Sequence, residues 1–404
     1  MVWVTSHPPE PGDLDSCVTC GLCLPVCPTF RLTGDESTSP RGRLTAIKAV
    51  AEGIVPLDHR FDEVIGFCLE CRACETACPS MVPYGEIVES ARSEIATQRS
   101  TARRRAQRLV LGSFIAMPWL MRFVTILTAF LQRFGLLRRL PIVGPSTQGL
   151  RRVPLPVQSA RGGAWGDPGG ELVTLFVGCV ADVWFAGTHR SAVELLVRAG
   201  FRVEASTAQT CCGSLAAHGG FGAEAEVLAQ RNIQALSVAG TIAVDVAGCG
   251  AYLKGYGRFG PDGEELAERV HDINVLVARA IEEGRLPSLP AVGKAVAMHD
   301  PCHLEHGQRI TVEPRTIVRA AGYDPVDADP GGLCCGAAGL YQIEHPVTSA
   351  ELGERKARSV SATGATIVAS ANAGCEMQLR RFLDSGYAIA HPIDLYADRL
   401  SGRQ

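Results

Sequence analysis

The spacing of the cysteines constrains this chain more than any other feature of its sequence. Of the 404 residues, 16 are Cys: eight lie in the first 78 residues, none lies at residues 79–178, and eight lie beyond them. Residues 1–15 lack the apolar core of a secretory signal peptide, so we expect a cytoplasmic chain with reduced thiols. In such a chain, this many cysteines indicate metal binding rather than disulfides.

The first eight cysteines form two copies of one compact pattern. The copies are Cys17-x-x-Cys20-x-x-Cys23-x-x-x-Cys27-Pro28 and Cys68-x-x-Cys71-x-x-Cys74-x-x-x-Cys78-Pro79. This spacing is typical of two-cluster ferredoxins, in which the fourth Cys of each run ligates the cluster of the other run. We therefore predict one [4Fe–4S] cluster on Cys17, Cys20, Cys23 and Cys78, and a second on Cys68, Cys71, Cys74 and Cys27. Zinc is the alternative, but zinc ligands come in pairs separated by a spacer, which this crowding does not provide.

The stretch between the two copies predicts the form of this domain. Forty residues separate Cys27 from Cys68, more than a compact β-type ferredoxin needs. Residues Arg43–Glu52 have helical periodicity and stop before Gly53. We predict an α-helical two-cluster ferredoxin domain over residues 1–98.

From residue 171 onward, short apolar runs alternate with helical patterns. The predicted buried strands are Leu172–Val177, Thr241–Ala247, Lys294–Met298 and Ala365–Ala369. Residues Thr188–Ala199 predict a helix that ends before Gly200, a favoured residue at that position. Strands separated by helices favour a layered α/β structure with a parallel sheet.

The later cysteines indicate an internal duplication. Cys179 and Cys302 are each followed, after 31 residues, by a Cys-Cys-Gly sequence, and then by a further Cys after a buried strand. We predict two tandem, pseudo-symmetric α/β domains at residues 171–290 and 291–404. A Pro/Gly-rich stretch at residues 141–170 is the predicted linker before them.

Each half of the duplication carries four cysteines that form a candidate metal or cluster site. Adjacent thiols seldom bond to each other, and open α/β sheets place ligands at the C-terminal ends of their strands. The first CCG site consists of Cys179, Cys211, Cys212 and Cys249, and the second CCG site of Cys302, Cys334, Cys335 and Cys375. The alternative is that these are buried structural thiols without metal. We interpret the nearby His218, His303 and His306 as hydrogen-bonded or surface side chains rather than ligands.

In combination, these motifs resemble the iron–sulfur subunits of glycolate oxidase. That family lies within the wider group of CCG-domain proteins, with heterodisulfide reductase subunits and the iron–sulfur subunits of lactate and anaerobic glycerol-3-phosphate dehydrogenases. The matching stretches are Cys17–Pro28, Pro40-Arg41-Gly42-Arg43, Cys68–Pro79, Cys211-Cys212-Gly213, Gly248-Cys249-Gly250, His299-Asp300-Pro301-Cys302-His303 and Cys334-Cys335-Gly336. They follow the family order over nearly the whole chain.

The resemblance implies an electron-transfer subunit. An FAD-containing partner would oxidise a 2-hydroxy acid, glycolate being the best candidate, and this chain would relay the electrons toward a quinone or another carrier. The alternatives are an iron–sulfur subunit of another hydroxy-acid or glycerol-3-phosphate dehydrogenase, a heterodisulfide-reductase-like catalytic subunit, and a metal-poor interaction scaffold. The chain departs from the fuller CCG pattern, which ends in Cys-x-x-Cys, because Tyr252 and Gln378 stand where the last Cys would be. The noncubane double cluster of heterodisulfide reductases therefore lacks its fifth thiolate in both halves.

Residues 99–140 form an Arg-rich, apolar segment. No Asp or Glu occurs between Ile95 and Gly166, whereas twelve Arg do. The apolar stretches Leu109–Met121 and Phe123–Leu131 are each shorter than the roughly 18 residues of a spanning helix. They favour either an interfacial helix on anionic lipid at the inner face of the cell membrane, or a helical hairpin packed on the Cys domains or a partner.

Motifs for other chemistry are missing from the sequence. Gly220-x-Gly222 follows His218-Gly219 rather than a strand, so it does not meet the dinucleotide-binding pattern. The net charge of −3, with little interleaving of aromatic and basic residues, argues against a nucleic-acid partner. A chain with cluster motifs and no site for a hydride acceptor must receive its electrons from another subunit.

Overall fold

A computed structural model describes residues 3–136 and 155–403 of the chain. Residues 3–98, the described part of the predicted ferredoxin domain, are helical as predicted, and helices continue through the Arg-rich segment to Arg133. Their helices are α1 (Pro11–Asp15), α2 (Pro28–Thr33), α3 (Pro40–Ala51), α4 (His59–Gly66), α5 (Ala73–Thr76), α6 (Tyr84–Gln98), α7 (Ala102–Leu109) and α8 (Pro118–Arg133), with a 3-10 turn at Glu36–Thr38 and a π-helical turn at Val110–Phe114.

Helix α3 fills the long spacer between the two cysteine runs. It begins three residues before the predicted helix, because the Ser39 hydroxyl accepts a hydrogen bond from the Gly42 amide at 2.9 Å and Pro40 occupies the first turn. Ile47 and Val50 on α3 are fully buried against α4 and α6. This small apolar core holds the two cysteine-bearing loops side by side.

The Arg-rich segment packs on the first α/β domain with one face. Met121 and Ala129 of α8 are buried, and the Trp184 indole donates a hydrogen bond to Thr125 Oγ1 at 3.0 Å. One face of the segment therefore packs on a Cys domain, as one of the two predicted alternatives requires. Phe123 on the opposite face is exposed. Within the described residues, no single helix has the length and hydropathy of a membrane span. The stretch Ala102–Phe114, which is α7 with the π-helical turn, has that length and hydropathy only in combination with α8. The two are bent by 114° relative to each other.

The second half alternates strands and helices as predicted. Its strands are β1 (Ala164–Trp165), β2 (Leu172–Phe176), β3 (Arg202–Glu204), β4 (Thr241–Val244), β5 (Val270–Asp272), β6 (Ala295–His299), β7 (Asp324–Asp327), β8 (Ile367–Ser370) and β9 (Ala388–Ala390). The first set of helices is α9 (Val180–Trp184), α10 (Ala186–Arg198), α11 (Ser214–His218), α12 (Gly222–Ala235), α13 (Ala247–Leu253), α14 (Pro261–Glu268) and α15 (Ile273–Glu282). The second set is α16 (Cys302–Gln308), α17 (Val312–Ala320), α18 (Tyr341–Glu344), α19 (Pro346–Ala362), α20 (Ala373–Phe382) and α21 (Pro392–Ser401).

The strands form two sheets with matching topology. The first sheet has the order β1-β3-β2-β4-β5 and the second β7-β6-β8-β9. Apart from β1, every pairing is parallel, so the order of the first repeat (β3-β2-β4-β5) is reproduced in the second. The duplication seen in the cysteine spacing is therefore a duplication of fold.

Strand β1 lies in the stretch predicted to be a linker. It runs antiparallel to β3, with Ala164 opposite Glu204 and Trp165 opposite Val203. This pairing covers the free edge of β3, which explains why part of residues 141–170 is ordered onto the first α/β domain. The earlier part of that stretch lies outside the described residues.

A layer of helices joins the two α/β domains. Leu195 of α10, Leu276 of α15, Ile317 of α17 and Tyr396 of α21 belong to one buried apolar cluster. Since these helices come from both repeats, the two domains share a core and form one unit.

We expect Ile317→Ala to lower the free energy of unfolding by about 2–4 kcal/mol, because the fully buried side chain leaves a cavity in the shared core. Denaturant titration of the cluster-loaded protein measures the change. Val312→Ala, at the exposed start of the same helix, is the control and should leave stability unchanged. Equal stability of both variants would contradict a shared core.

Candidate metal centres

Four of the predicted ligands line a cavity near the surface of the ferredoxin domain. Cys17, Cys20, Cys23 and Cys78 surround it together with Arg41. Cys20 is exposed, whereas the other three thiols are half-buried. These are the four cysteines that the sequence predicts as ligands of the first cluster.

The second set of four predicted ligands surrounds a deeper cavity. Cys27, Cys68, Cys71 and Cys74 line it, and all four are buried. Cys74 lines the surface cavity as well, so the two cavities adjoin. Two cubane clusters in these positions would lie close enough for direct electron transfer between them.

The loops around both cavities share one unusual backbone conformation. In the first run, Thr19 and Gly21 have φ angles of 55° and 81°; at the equivalent positions of the second run, Glu70 and Arg72 have 51° and 63°. Left-handed residues between right-handed ones turn successive amides toward a common centre, which is the geometry that binds anions and cluster sulfurs. Non-glycine residues adopt it only when the surroundings enforce it. The residues at both cavities therefore fit [4Fe–4S] clusters.

A fully buried arginine lies beside the deeper cavity. The Arg43 guanidinium donates hydrogen bonds to the Val64 carbonyl at 2.8 Å and to Thr29 Oγ1 at 3.1 Å. Burial alone would lower its pKa, but the nearby Tyr84, Cys68 and Cys27 outweigh burial and raise the pKa above its usual value. A fixed positive charge here stabilises the thiolates and any added electron.

The first CCG site brings its four cysteines together at the C-terminal ends of β2 and β4, as predicted. Cys179 Sγ lies 3.2 Å from Cys211 Sγ, and Cys212 Sγ lies 3.3 Å from Cys249 Sγ. Hydrogen bonds from Cys179 and Cys212 lower the pKa of the Cys211 thiol far below its ordinary value. One thiolate is therefore stabilised inside a group of thiols.

The second CCG site repeats this arrangement at the ends of β6 and β8. Hydrogen bonds from Cys302 and Cys335 lower the pKa of Cys334 far below its ordinary value. The hydrogen bond from Cys335, with the neighbouring His299 imidazole, outweighs burial and lowers the pKa of Cys375 to about 5. Two of the four thiols thus favour the thiolate form, which is the form that binds metal.

The glycine of each Cys-Cys-Gly sequence is required by close backbone approach. Gly213 and Gly336 have φ angles of 94° and 82°. A Cβ on Gly336 would lie 2.8 Å from the Ser349 carbonyl oxygen, and one on Gly213 would lie 3.1 Å from that of Ala225. The glycines therefore let the paired cysteines turn tightly into the site.

Asn372 connects the two CCG sites. Its side-chain oxygen accepts a hydrogen bond from the Gly248 amide at 3.1 Å, next to Cys249 of the first site. Its amide nitrogen donates to Cys375 Sγ of the second site at 3.3 Å. The two sites therefore face each other across the domain boundary.

The second CCG site adjoins the inner cavity of the ferredoxin domain. Cys71 and Cys334 lie in one buried cluster with Leu69, and Cys302 packs against it. The nearby Cys334 adds to the effect of burial in raising the pKa of Cys71. Cys211 of the first site lies instead in a core with Met121 of the Arg-rich segment.

The three histidines named from the sequence have partners at the domain interface. His218 lies 3.3 Å from Glu70 and 3.3 Å from Glu89, and its ring stacks on His303 with centroids 5.5 Å apart. His306 Nδ1 lies 3.1 Å from Thr76 Oγ1. His303 Nδ1 lies 3.6 Å from Cys302 Sγ, so each of the three rings has a polar neighbour.

Sequence reasoning missed His299. It ends β6 and lies near Cys335 and Cys375, with ligand atoms within 4.8 Å of one another. Aligning the two repeats would have drawn attention to it, because His299 precedes Cys302 by three residues and Phe176 holds that place before Cys179.

Comparison with known proteins agrees with this geometry. The family described as "4Fe-4S dicluster domain" matches residues 13–82, and the family described as "Cysteine-rich domain" matches residues 173–254 and 296–380. A protein of Bacillus subtilis named "Probable glycolate oxidase iron-sulfur subunit" is 30% identical, over 92% of this chain and 89% of its own length. The chain belongs to the family of glycolate oxidase iron–sulfur subunits. The "Glycolate oxidase iron-sulfur subunit" of Escherichia coli is 29% identical over 91% of the chain and 89% of its own length.

Membership of the glycolate oxidase iron–sulfur subunit family fixes the general role of the chain. It is an electron-transfer subunit of an oxidoreductase and carries iron–sulfur clusters. A more distant relative, "Lactate utilization protein A" of Shouchella clausii, is 27% identical over 51% of this chain and 89% of its own length.

We expect Arg43→Gln to make the reduction potential of one cluster more negative by roughly 50–100 mV, because a nearby buried charge that favours the reduced state is lost. Potentiometric titration followed by electron paramagnetic resonance measures the shift. Arg43→Lys keeps the charge and should shift the potential less.

Lys48→Gln is the matched control for this experiment. It removes a positive charge from the exposed side of the same helix, where Lys48 pairs with Asp15 at 2.5 Å. An equal shift in Lys48→Gln, or no shift in Arg43→Gln, would contradict the electrostatic role of Arg43.

Proposed function

We propose that this chain relays single electrons from an FAD-containing subunit, which oxidises glycolate or a related 2-hydroxy acid, to a quinone or another carrier. The observation that carries the proposal is the row of cysteine sites: the surface cavity adjoins the deeper cavity, and the deeper cavity adjoins the second CCG site. The names of the relatives from Bacillus subtilis and Escherichia coli supply the substrate.

We assign the ligands of the relay as the sequence predicts. Cys17, Cys20, Cys23 and Cys78 hold the outer [4Fe–4S] cluster, and Cys68, Cys71, Cys74 and Cys27 hold the inner one. When bound, these clusters supply one-electron transfer, which divides the electron pair taken from the substrate. The protein contributes the rest: Arg43 stabilises negative charge, and Tyr84 donates a hydrogen bond to Cys68 Sγ at 3.6 Å.

The surface around the outer cavity is the proposed contact with the flavoprotein. Cys20 is exposed there, so an outer cluster would lie within reach of a docked cofactor. Val18 and Leu22, which flank Cys20, and Met81 are exposed apolar side chains. An apolar patch around a redox centre favours a protein partner, because docking removes that area from water.

The heterodisulfide-reductase-like alternative is less well supported. Tyr252 and Gln378, which replace the fifth Cys in each half, are buried and have partners of their own. The Arg258 guanidinium lies 4.6 Å from the centre of the Tyr252 ring, and Gln378 donates to the Ser349 carbonyl at 3.1 Å. Both positions therefore serve packing rather than thiol chemistry.

We further propose that α8 rests on an anionic membrane surface. Its outward side chains form an exposed apolar face made of Trp119, Phe123, Ile126, Leu127 and Phe130, which Phe134 continues just after the helix. The sequence around it carries twelve Arg and no acid between Ile95 and Gly166. Aromatic side chains beside arginines suit the boundary between lipid headgroups and acyl chains.

We expect Leu22→Glu to weaken binding of the flavoprotein subunit at least roughly tenfold, because a charge would be buried in the apolar contact. Affinity measured between the purified subunits tests this. Val238→Glu, at an exposed apolar site on the first α/β domain, should bind normally. Normal binding by Leu22→Glu would place the flavoprotein contact elsewhere.

We expect the double variant Phe123→Glu, Phe130→Glu to bind phosphatidylglycerol vesicles at least roughly tenfold more weakly, since each ring loses about 2 kcal/mol of apolar burial. Vesicle co-sedimentation measures this, with phosphatidylcholine vesicles showing the contribution of charge. Val347→Glu, an exposed apolar residue of α19, is the matched control. Unchanged sedimentation of the double variant would refute membrane contact through α8.

A further inference from the structure

His299 is a buried side chain whose ring nitrogens approach the thiols of the second CCG site. It is the last residue of β6 and is 4% exposed. Among residues 3–136 and 155–403, neither ring nitrogen makes a well-aligned hydrogen bond, although the imidazole lies next to the Cys375 thiol. Leaving a buried polar group without a good partner costs free energy, so such a group calls for a ligand.

The imidazole is directed at the second CCG site. Ligand atoms of His299, Cys335 and Cys375 lie within 4.8 Å of one another, and all three residues are buried. Asn372 holds Cys375 from the other side through its 3.3 Å hydrogen bond. With Cys302 and Cys334, the second site therefore offers four thiols and one imidazole.

The first CCG site lacks this fifth donor. Phe176 occupies the position of His299, three residues before the first Cys of its repeat, and is 1% exposed. A phenyl ring offers no metal ligand. The two repeats have the same topology and the same cysteine spacing, so this substitution gives their sites different donor sets.

His299 also lies between an open, polar cavity and the buried thiols. It lines a cavity of about 290 Å³ together with Asp300, Arg315, Asp329 and Lys356. Arg315 pairs with Asp300, and Lys356 with Asp329, both at 2.6 Å. Of the proposed ligands of the second site, His299 is the one that lines this cavity.

We propose that the second CCG site holds a third iron–sulfur cluster, with His299 as its nitrogen ligand, and that the first CCG site holds none. Histidine in place of a thiolate removes a negative charge from a cluster and raises its reduction potential. Next to Cys71, such a cluster would receive one electron at a time from the inner ferredoxin cluster and become the last redox centre of this chain. That order rests on the proposed relay, whereas the presence of the cluster does not.

The experiment compares the anaerobically purified full chain with variants His299→Ala, His299→Cys and Phe176→Leu. Two cubane clusters account for about eight irons per chain, so we expect the wild type to exceed eight and His299→Ala to fall to about eight. His299→Cys should bind the extra iron, because its thiolate takes the place of the imidazole. Its resonance spectrum should differ from that of the wild type, and the reduction potential of the third cluster should be lower. Phe176→Leu, the matched change in the first repeat, should keep the wild-type iron content.

A spectroscopic readout separates a ligand from a hydrogen-bond donor. In protein labelled with ¹⁵N-histidine, a directly bound imidazole produces a nitrogen hyperfine coupling on the third cluster, which His299→Ala abolishes. The proposal fails if the wild type binds only about eight irons, if His299→Ala keeps the extra iron, or if the site binds zinc instead. The ferredoxin signals in the same samples report the relay separately, so their loss would count against the proposed function and not against His299.

Discussion

The concentration of negative charge at grouped thiolates is the constraint on which the rest of the structure depends. Thiolates a few ångströms apart repel one another unless a metal or nearby positive charge stabilises them. Two features of the ferredoxin domain stabilise this negative charge. They are the left-handed turns at Thr19 and Glu70, which direct backbone amides inward, and the buried guanidinium of Arg43. In the α/β domains, the protein relies on hydrogen bonds between thiols and on the tight turns at Gly213 and Gly336.

A second network of buried charges holds the ferredoxin domain on the α/β domains. Arg92 pairs with Glu70 at 2.5 Å, and Arg258 pairs with Glu89 at 2.6 Å, with His218 between the two carboxylates. Burial opposes these charges, but His218 and Arg258 lower the pKa of Glu89 to about 2, and the two carboxylates raise the pKa of His218. Because Glu70 belongs to the second cysteine run, this network fixes the distance between the inner cavity and the α/β domains.

The two repeats illustrate how one fold can provide unequal sites. Equal strand order and equal cysteine spacing would give equal chemistry if the surrounding side chains matched. They do not: His299 faces the second site where Phe176 faces the first, and Cys71 of the inner cavity lies in one buried cluster with Cys334 of the second site. The first site packs against Met121 of the Arg-rich segment and Ala96 of α6. Duplication followed by such divergence leaves different side chains around two equally spaced sets of cysteines.

The sequence by itself determined the cysteine groups, the α-helical ferredoxin domain and the duplicated α/β fold, because ligand spacing and apolar periodicity are local properties of the chain. Tertiary structure alone decided which groups are neighbours. Three contacts between residues far apart in sequence show this: Cys71 with Cys334, Asn372 with Gly248 at the first CCG site, and His299 with Cys375. His299 also ends an apolar strand, so the apolar pattern of that strand gave no sign of a ligand. The strand at Ala164–Trp165 was missed for the same reason, since it forms only where the edge of β3 needs a partner.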